Sequence, residues 1–217
     1  QRMTREMSVW KKLNHPNVLL FIGWCILESK SYMISPWMEN GNALTYVKRK
    51  PQANRLQLLI QVAEGLHYLH TWPKNPIIHG DLRAVSSAYF SRANIFISST
   101  GVAHIADFGL SELVEDEKAP RCSTEWYCSG SPRWQAPELL SAGSKEEGRR
   151  TKETDCFAYG RVMLEVSPRA SFTLAPPERC RTNLVNFVVD IHRSHPLFLS
   201  LGQHYVNNQD GSKRPAS

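Results

Sequence analysis

The sequence predicts an α+β fold, mostly helical, whose strands are grouped rather than alternating regularly with helices. Three observations lead there. Leu56–His70 and Thr154–Val166 repeat apolar residues at helical spacing; two short β-prone runs lie at 18–26 and 32–35; and three still shorter apolar runs fall between the two helices.

Taken in order, Arg5–Leu13 places Met7, Val9, Trp10 and Leu13 near a helical period and stops at Asn14-His15-Pro16-Asn17, because proline disfavours helix for the residue before it. Val18–Ile26 and Tyr32–Ser35, separated by the polar Glu28–Ser31, read as a hairpin. Glu39-Asn40-Gly41-Asn42 is a turn leading into a short helix. In the long helix that follows, Leu58, Leu59, Val62, Leu66 and Leu69 share one face, which must pack on a core. Ile77-Ile78, Ile95–Ile97 and Val102–Ile105 are the short strands, and Phe157, Val162, Met163 and Leu164 are the residues offered for burial by the second long helix. After Ser167, prolines 168, 176 and 177 interrupt the pattern, a helix is expected for Asn183–His192, and Asn207–Ser217 reads as an exposed tail.

A chain of 217 residues with 41% apolar content can bury one substantial core. The net charge of +6 is scattered, with short clusters only at Lys48–Lys50 and Arg149–Lys152, so nucleic-acid binding is not expected. Five cysteines at irregular spacing, without a zinc-finger pattern, fit a reducing compartment. No apolar run nears the roughly 20 residues that span a bilayer, and no leader pattern opens the chain, so a cytoplasmic location is expected.

The chemistry sits in three motifs in fixed order: His79-Gly80-Asp81-Leu82-Arg83, Asp107-Phe108-Gly109 and Ala136-Pro137-Glu138. Together they resemble the catalytic loop, the magnesium loop and the end of the activation segment of eukaryotic protein kinases, most closely the tyrosine-kinase-like group of Ser/Thr kinases. The resemblance covers residues 5–166, about three-quarters of the chain. It implies a protein-kinase-like fold: chiefly the helical C-lobe, with the C-helix and part of the N-lobe sheet. Residues 1–166 are then a partial kinase domain, and 167–217 a divergent or truncated C-terminal part with its tail.

Phosphoryl transfer needs an acceptor for the hydroxyl's proton, metal ions against the phosphates and in-line positioning. By resemblance, Asp81 is the base, with Arg83 beside it, and Asp107 and Asn94 bind Mg²⁺ for ATP. In Ser35–Gly41, which looks like the hinge, the Pro36 carbonyl and Met38 N–H would bond adenine and Phe96 would press on its lower face. Glu6 falls where the family's C-helix glutamate pairs with a strand lysine. Trp10, Phe21, His79 and Phe108 resemble the stacked regulatory spine, and ordinary core packing reads them equally well. Gly109 completes the magnesium loop, and Asp155 looks like the helix aspartate that anchors the catalytic loop. Gly130-Ser131-Pro132 through Glu138, with Ser131 and Glu138 as its marker residues, resembles the Ser/Thr pattern. Asp-Leu-Arg-Ala resembles some tyrosine kinases; Ser/Thr specificity is favoured.

Three departures stand out. The family's asparagine comes five residues after the catalytic aspartate; here Ser86 holds that position, so 85–92 reads as an insert before Asn94. No glycine-rich loop or strand lysine precedes Glu6. Gly80 replaces the usual arginine, so no cation is expected there to hold a phosphate at Ser123, Thr124 or Tyr127, and loop phosphorylation is not expected to be obligatory. The resemblance therefore implies a kinase acting on protein substrates; a pseudokinase or truncated fragment serving as a binding module is the alternative. The motifs leave the oligomeric state open.

Overall fold

The computed structural model describes residues 7–73, 75–84, 93–113, 132–144 and 147–167. Every element below belongs to one compact unit, Gln1–Val166. The expected helix at 183–192, the insert 85–92, Glu6, Ser131 and the hydroxyls at 123, 124 and 127 lie outside the described residues.

A helical turn at 7–10 leads to the Asn14–Asn17 stop. Strands β1 (Gly23–Leu27) and β2 (Lys30–Ile34) pair antiparallel, with Trp24 opposite Met33 and Cys25 opposite Tyr32. Their two-residue turn has positive φ at both Glu28 and Ser29, 48° and 60°, the primed geometry that matches strand twist. The expected hairpin is therefore present, but Lys30 and Ser31 belong to the strand, and Val18 instead makes a parallel bridge to Ile105. The hairpin keeps Ile22, Trp24, Ile26 and Leu27 exposed.

Helix α1 (Ala43–Arg49) starts at Asn42, whose side chain accepts the Thr45 N–H. Helix α2 (Arg55–His70) is capped in the same way by Asn54, which accepts from the Gln57 N–H. Such a cap satisfies a donor the helix itself cannot, stabilising by about 1 kcal/mol. The predicted face of α2 is buried throughout: Leu58, Leu59, Val62, Leu66 and Leu69. Two small antiparallel sheets pack near it, β3 (Ile77–Ile78) with β6 (Glu112–Leu113) and β4 (Ile95–Ile97) with β5 (Ala103–Ile105). Gly65 lets α2 come up to the 14–17 loop, since a Cβ there would lie 2.7 Å from the Asn17 carbonyl oxygen.

Helix α3 (Pro137–Leu140) is a single turn, and α4 (Lys152–Val166) buries Ala158, Tyr159, Val162, Met163 and Leu164. Phe157 is only half-buried, against expectation; the neighbouring Ala158 and Tyr159 take the core positions. The Tyr159 hydroxyl donates to the Leu59 carbonyl at 2.9 Å, and Arg55 donates to the Val166 carbonyl at 2.6 Å, tying α4 to α2. The core thus lies between α2, α4 and the small sheets, and the segments that follow β3 and β5 meet at the start of β4.

Candidate active site

That meeting place is organised by Asp155, one turn into α4 and 1% exposed. One carboxylate oxygen, Oδ2, accepts the His79 N–H at 2.7 Å and His70 Nε2 at 2.9 Å; the other accepts the Gly80 N–H at 2.8 Å. Burial would raise its pKa, but the hydrogen bond and charge of His70, the charge of His79 and the Gly80 N–H together outweigh burial, and the carboxyl is held below its ordinary value. The anchoring role implied for Asp155 has this geometry, and His70 is a partner that sequence reasoning missed. Its signal was a histidine at the end of an otherwise apolar helix face, with no sequence-local reason to be buried.

From this anchor the backbone is fixed forward. His79 Nε2 donates to the Ala106 carbonyl at 3.0 Å, which leaves Nδ1 to accept the Asp81 N–H at 3.2 Å. The Ser111 hydroxyl donates to the His79 carbonyl at 3.3 Å. Asp81 is 8% exposed, and its Oδ2 takes Arg83 at 3.1 Å and the Asn94 amide at 3.3 Å. Burial raises the Asp81 pKa above its ordinary value; Arg83 opposes the rise, and the nearby Asp107 adds to it.

Asn94 is fixed on every side. Its N–H donates to the Arg83 carbonyl at 3.0 Å, its carbonyl accepts the Ala106 N–H at 2.9 Å, and Nδ2 donates to the Asp81 carbonyl at 2.5 Å. The Arg83–Asn94 bond holds residues 83 and 94 together although they lie 11 positions apart in sequence. Among the described residues the buried Asn94 Oδ1 atom has no hydrogen-bond partner, leaving an acceptor whose desolvation they do not compensate. Asp107 adopts a left-handed backbone, φ 62°, and its Oδ1 accepts the Gly109 N–H at 3.3 Å. Among the described residues no three His, Cys, Asp or Glu side chains could hold a metal ion by themselves. One amide oxygen and one carboxylate suit a hard cation whose remaining oxygens come from water or phosphate.

Phe108 is fully buried between Trp10, at 6.0 Å between ring centroids, and His79, at 5.4 Å, while Phe21 lies 5.2 Å from Trp10. The four aromatic rings of the sequence reading form one continuous stack. On the other side, β4 carries Phe96 opposite His104, and the Ile97 N–H donates to the Gly41 carbonyl at 2.8 Å. A bridge between Asn42 and Phe96 brings Phe96 next to the end of the Ser35–Gly41 segment. Among the described residues neither the Pro36 carbonyl nor the Met38 N–H is taken by another group.

Two further residues were missed. Glu165 accepts both the Trp134 indole N–H, at 3.1 Å, and the Ala84 N–H, at 3.3 Å, so it joins the segment before α3 to the loop bearing Asp81. Burial raises its pKa, with the Trp134 hydrogen bond opposing. Arg150 is the other: its Nε lies 3.2 Å from where a Cβ on Gly80 would be. A buried arginine thus stands beside Gly80, reaching it from a residue 70 positions away in sequence. Glu138 lies in the first turn of α3 and is exposed.

Comparison with known proteins agrees with this arrangement. A family model described as protein tyrosine and serine/threonine kinase matches residues 1–193. A probable L-type lectin-domain containing receptor kinase S.5 of Arabidopsis thaliana is 27% identical over 205 residues, 89% of this chain and 29% of the relative. L-type lectin-domain containing receptor kinase VIII.2 of the same plant is 30% identical over 208 residues, 91% of this chain and 27% of the relative. A probable serine/threonine-protein kinase of Dictyostelium discoideum is 29% identical over 171 residues, 76% and 15% respectively. The chain spans less than a third of the length of these relatives.

The cytoplasmic expectation is overturned by the same comparison, because several relatives are named receptor kinases. No described helix is long and apolar enough to cross a membrane, but a stretch covering under a third of such receptors says nothing of a span elsewhere in the protein. With a family model matching residues 1–193, most of its length, this chain belongs to the protein tyrosine and serine/threonine kinase family.

Proposed function

We propose that this chain carries the catalytic part of an ATP-dependent protein kinase that phosphorylates serine or threonine hydroxyls of protein substrates, in a signalling role. Residues 1–166 are the partial kinase domain, and 167–193, which the family model also matches, its divergent continuation. The observation that carries the reading is Asn94. Despite the 85–92 insertion it is buried and bonded to Asp81, and among the described residues its Oδ1 has no hydrogen-bond partner.

The roles follow from the atoms. Arg83 and Asn94 occupy Asp81 Oδ2, so Oδ1 is the atom that takes the proton of the attacking hydroxyl. A raised proton affinity suits that task. Asn94 Oδ1 and the Asp107 carboxylate would hold Mg²⁺, which when bound neutralises phosphate charge. Pro36, Met38 and Phe96 would receive the adenine ring. Arg83 restrains Asp81 and adds positive charge where the phosphoryl group passes.

The test has two arms. Mg²⁺ with ATP is added to the 217-residue chain in a thermal shift assay, with Asn94→Ala and Asp107→Asn as controls; the wild type should gain the larger shift. In the full-length protein, Asp81→Asn should abolish transfer to a generic protein substrate. Transfer that survives Asp81→Asn refutes its role as base. A wild-type protein that transfers nothing would favour the docking-module alternative.

A further inference from the structure

We infer that Arg150 is a positioning residue for Asp81, acting through Gly80; the inference rests on the kinase reading above. Gly80 sits at φ 78°, and a Cβ there would meet Arg150 Cδ at 2.6 Å, the Leu110 carbonyl oxygen at 3.0 Å and Arg150 Nε at 3.2 Å. Arg150 is 3% exposed, so its stem cannot swing aside into solvent. The glycine and the arginine therefore fit each other: the space beside position 80 is filled by a side chain from position 150.

The same short stretch of chain holds Gly80 from a second direction. Thr151 and Thr154 close the start of α4 reciprocally: the Thr151 N–H donates to Thr154 Oγ1 at 3.0 Å, and the Thr154 N–H donates to Thr151 Oγ1 at 3.4 Å. This fixes Arg150 relative to Asp155, which grips the Gly80 N–H at 2.8 Å. The start of α4 is thus a two-sided clamp, carboxylate on the amide and arginine stem on the α-carbon, around the residue before the base. Asp81 cannot shift without moving that peptide.

The clamp makes the stem, not the charge, the working part. In the full-length protein, Arg150→Ala should lower kcat tenfold or more with KM for ATP within twofold, because loosened geometry at the base affects the chemical step. Arg150→Met, which keeps a chain reaching the Cδ position, should retain at least half of wild-type kcat. Gly80→Ala should lose activity through the clash, and Gly80→Ala with Arg150→Ala should recover part of it.

Unchanged kcat in Arg150→Ala, or equal loss in Ala and Met variants, overturns the inference. Melting temperatures of the same four variants in the 217-residue chain provide a readout without catalysis. Non-additive shifts support the Gly80–Arg150 contact, and additive ones refute it. If the wild type transfers no phosphate, the kinase reading falls while this melting cycle still decides the contact.

Discussion

Replacing Asp155 by alanine should remove a large share of the stability of this domain. The carboxylate accepts three hydrogen bonds, from the His79 and Gly80 N–H groups and from His70, at a site 1% exposed. Alanine leaves all three donors buried without a partner, and each such donor costs about 1–3 kcal/mol. Water admitted to the vacated space recovers part of this, so the lower half of the range applies, about 4 kcal/mol in total. Domains of this kind are stable by about 5–15 kcal/mol. The melting temperature should fall by about 8–16 °C at roughly 2–4 °C per kcal/mol. The assay is far-UV circular dichroism of the 217-residue chain, heated at pH 7 beside the wild type. An alanine variant melting within about 2 °C of wild type would refute the claim that this carboxylate anchors the loop. The pH dependence provides a second check. A carboxyl held below its ordinary value contributes stability that is complete above the unfolded value, about 3.9, and lost as pH falls through the lower folded value. The difference between wild type and Asp155→Ala should therefore hold steady from pH 7 to about 5 and shrink below about 4.

Two other outcomes are expected. Asp81 has the opposite shift: its raised pKa means the folded state binds the proton more tightly, so the charged carboxylate destabilises the fold at neutral pH and this is relieved as pH falls. Asp81→Asn should accordingly raise the melting temperature at pH 7, by a margin that narrows toward pH 4; a variant less stable than wild type at pH 7 contradicts this. Gly65→Ala should destabilise by about 1–3 kcal/mol despite the better helix propensity of alanine, because the new methyl meets a backbone oxygen at 2.7 Å. Urea unfolding measures it, and a gain in stability would show that the 14–17 loop yields.

Local chemistry decided what the sequence revealed. The long helix α2 was legible because Leu58, Leu59, Val62, Leu66 and Leu69 repeat at 3.6 residues. Asp81, Asn94, Asp107 and Asp155 were legible as an ordered set of motifs, including Asn94 once 85–92 was set aside. What escaped was non-local. His70, Glu165 and Arg150 take their meaning from partners 85, 81 and 70 positions away, and no spacing rule links them. Strand β6, which pairs with the expected Ile77-Ile78, is only two residues long, too short to show a period. Cellular location was misread because a soluble-looking stretch was taken to speak for the whole protein.

The aromatic stack has a practical consequence. Trp10 donates its indole N–H to the Leu19 carbonyl and rests its ring between Phe21 and Phe108, at 5% exposure. Moving Phe108 out of the present pose of the Asp107-Phe108-Gly109 loop would open one face of that indole to solvent and shift its fluorescence to longer wavelength. With the chain's other tryptophans replaced, Trp10 becomes a gauge of where Phe108 sits, read by light in solution and without any label.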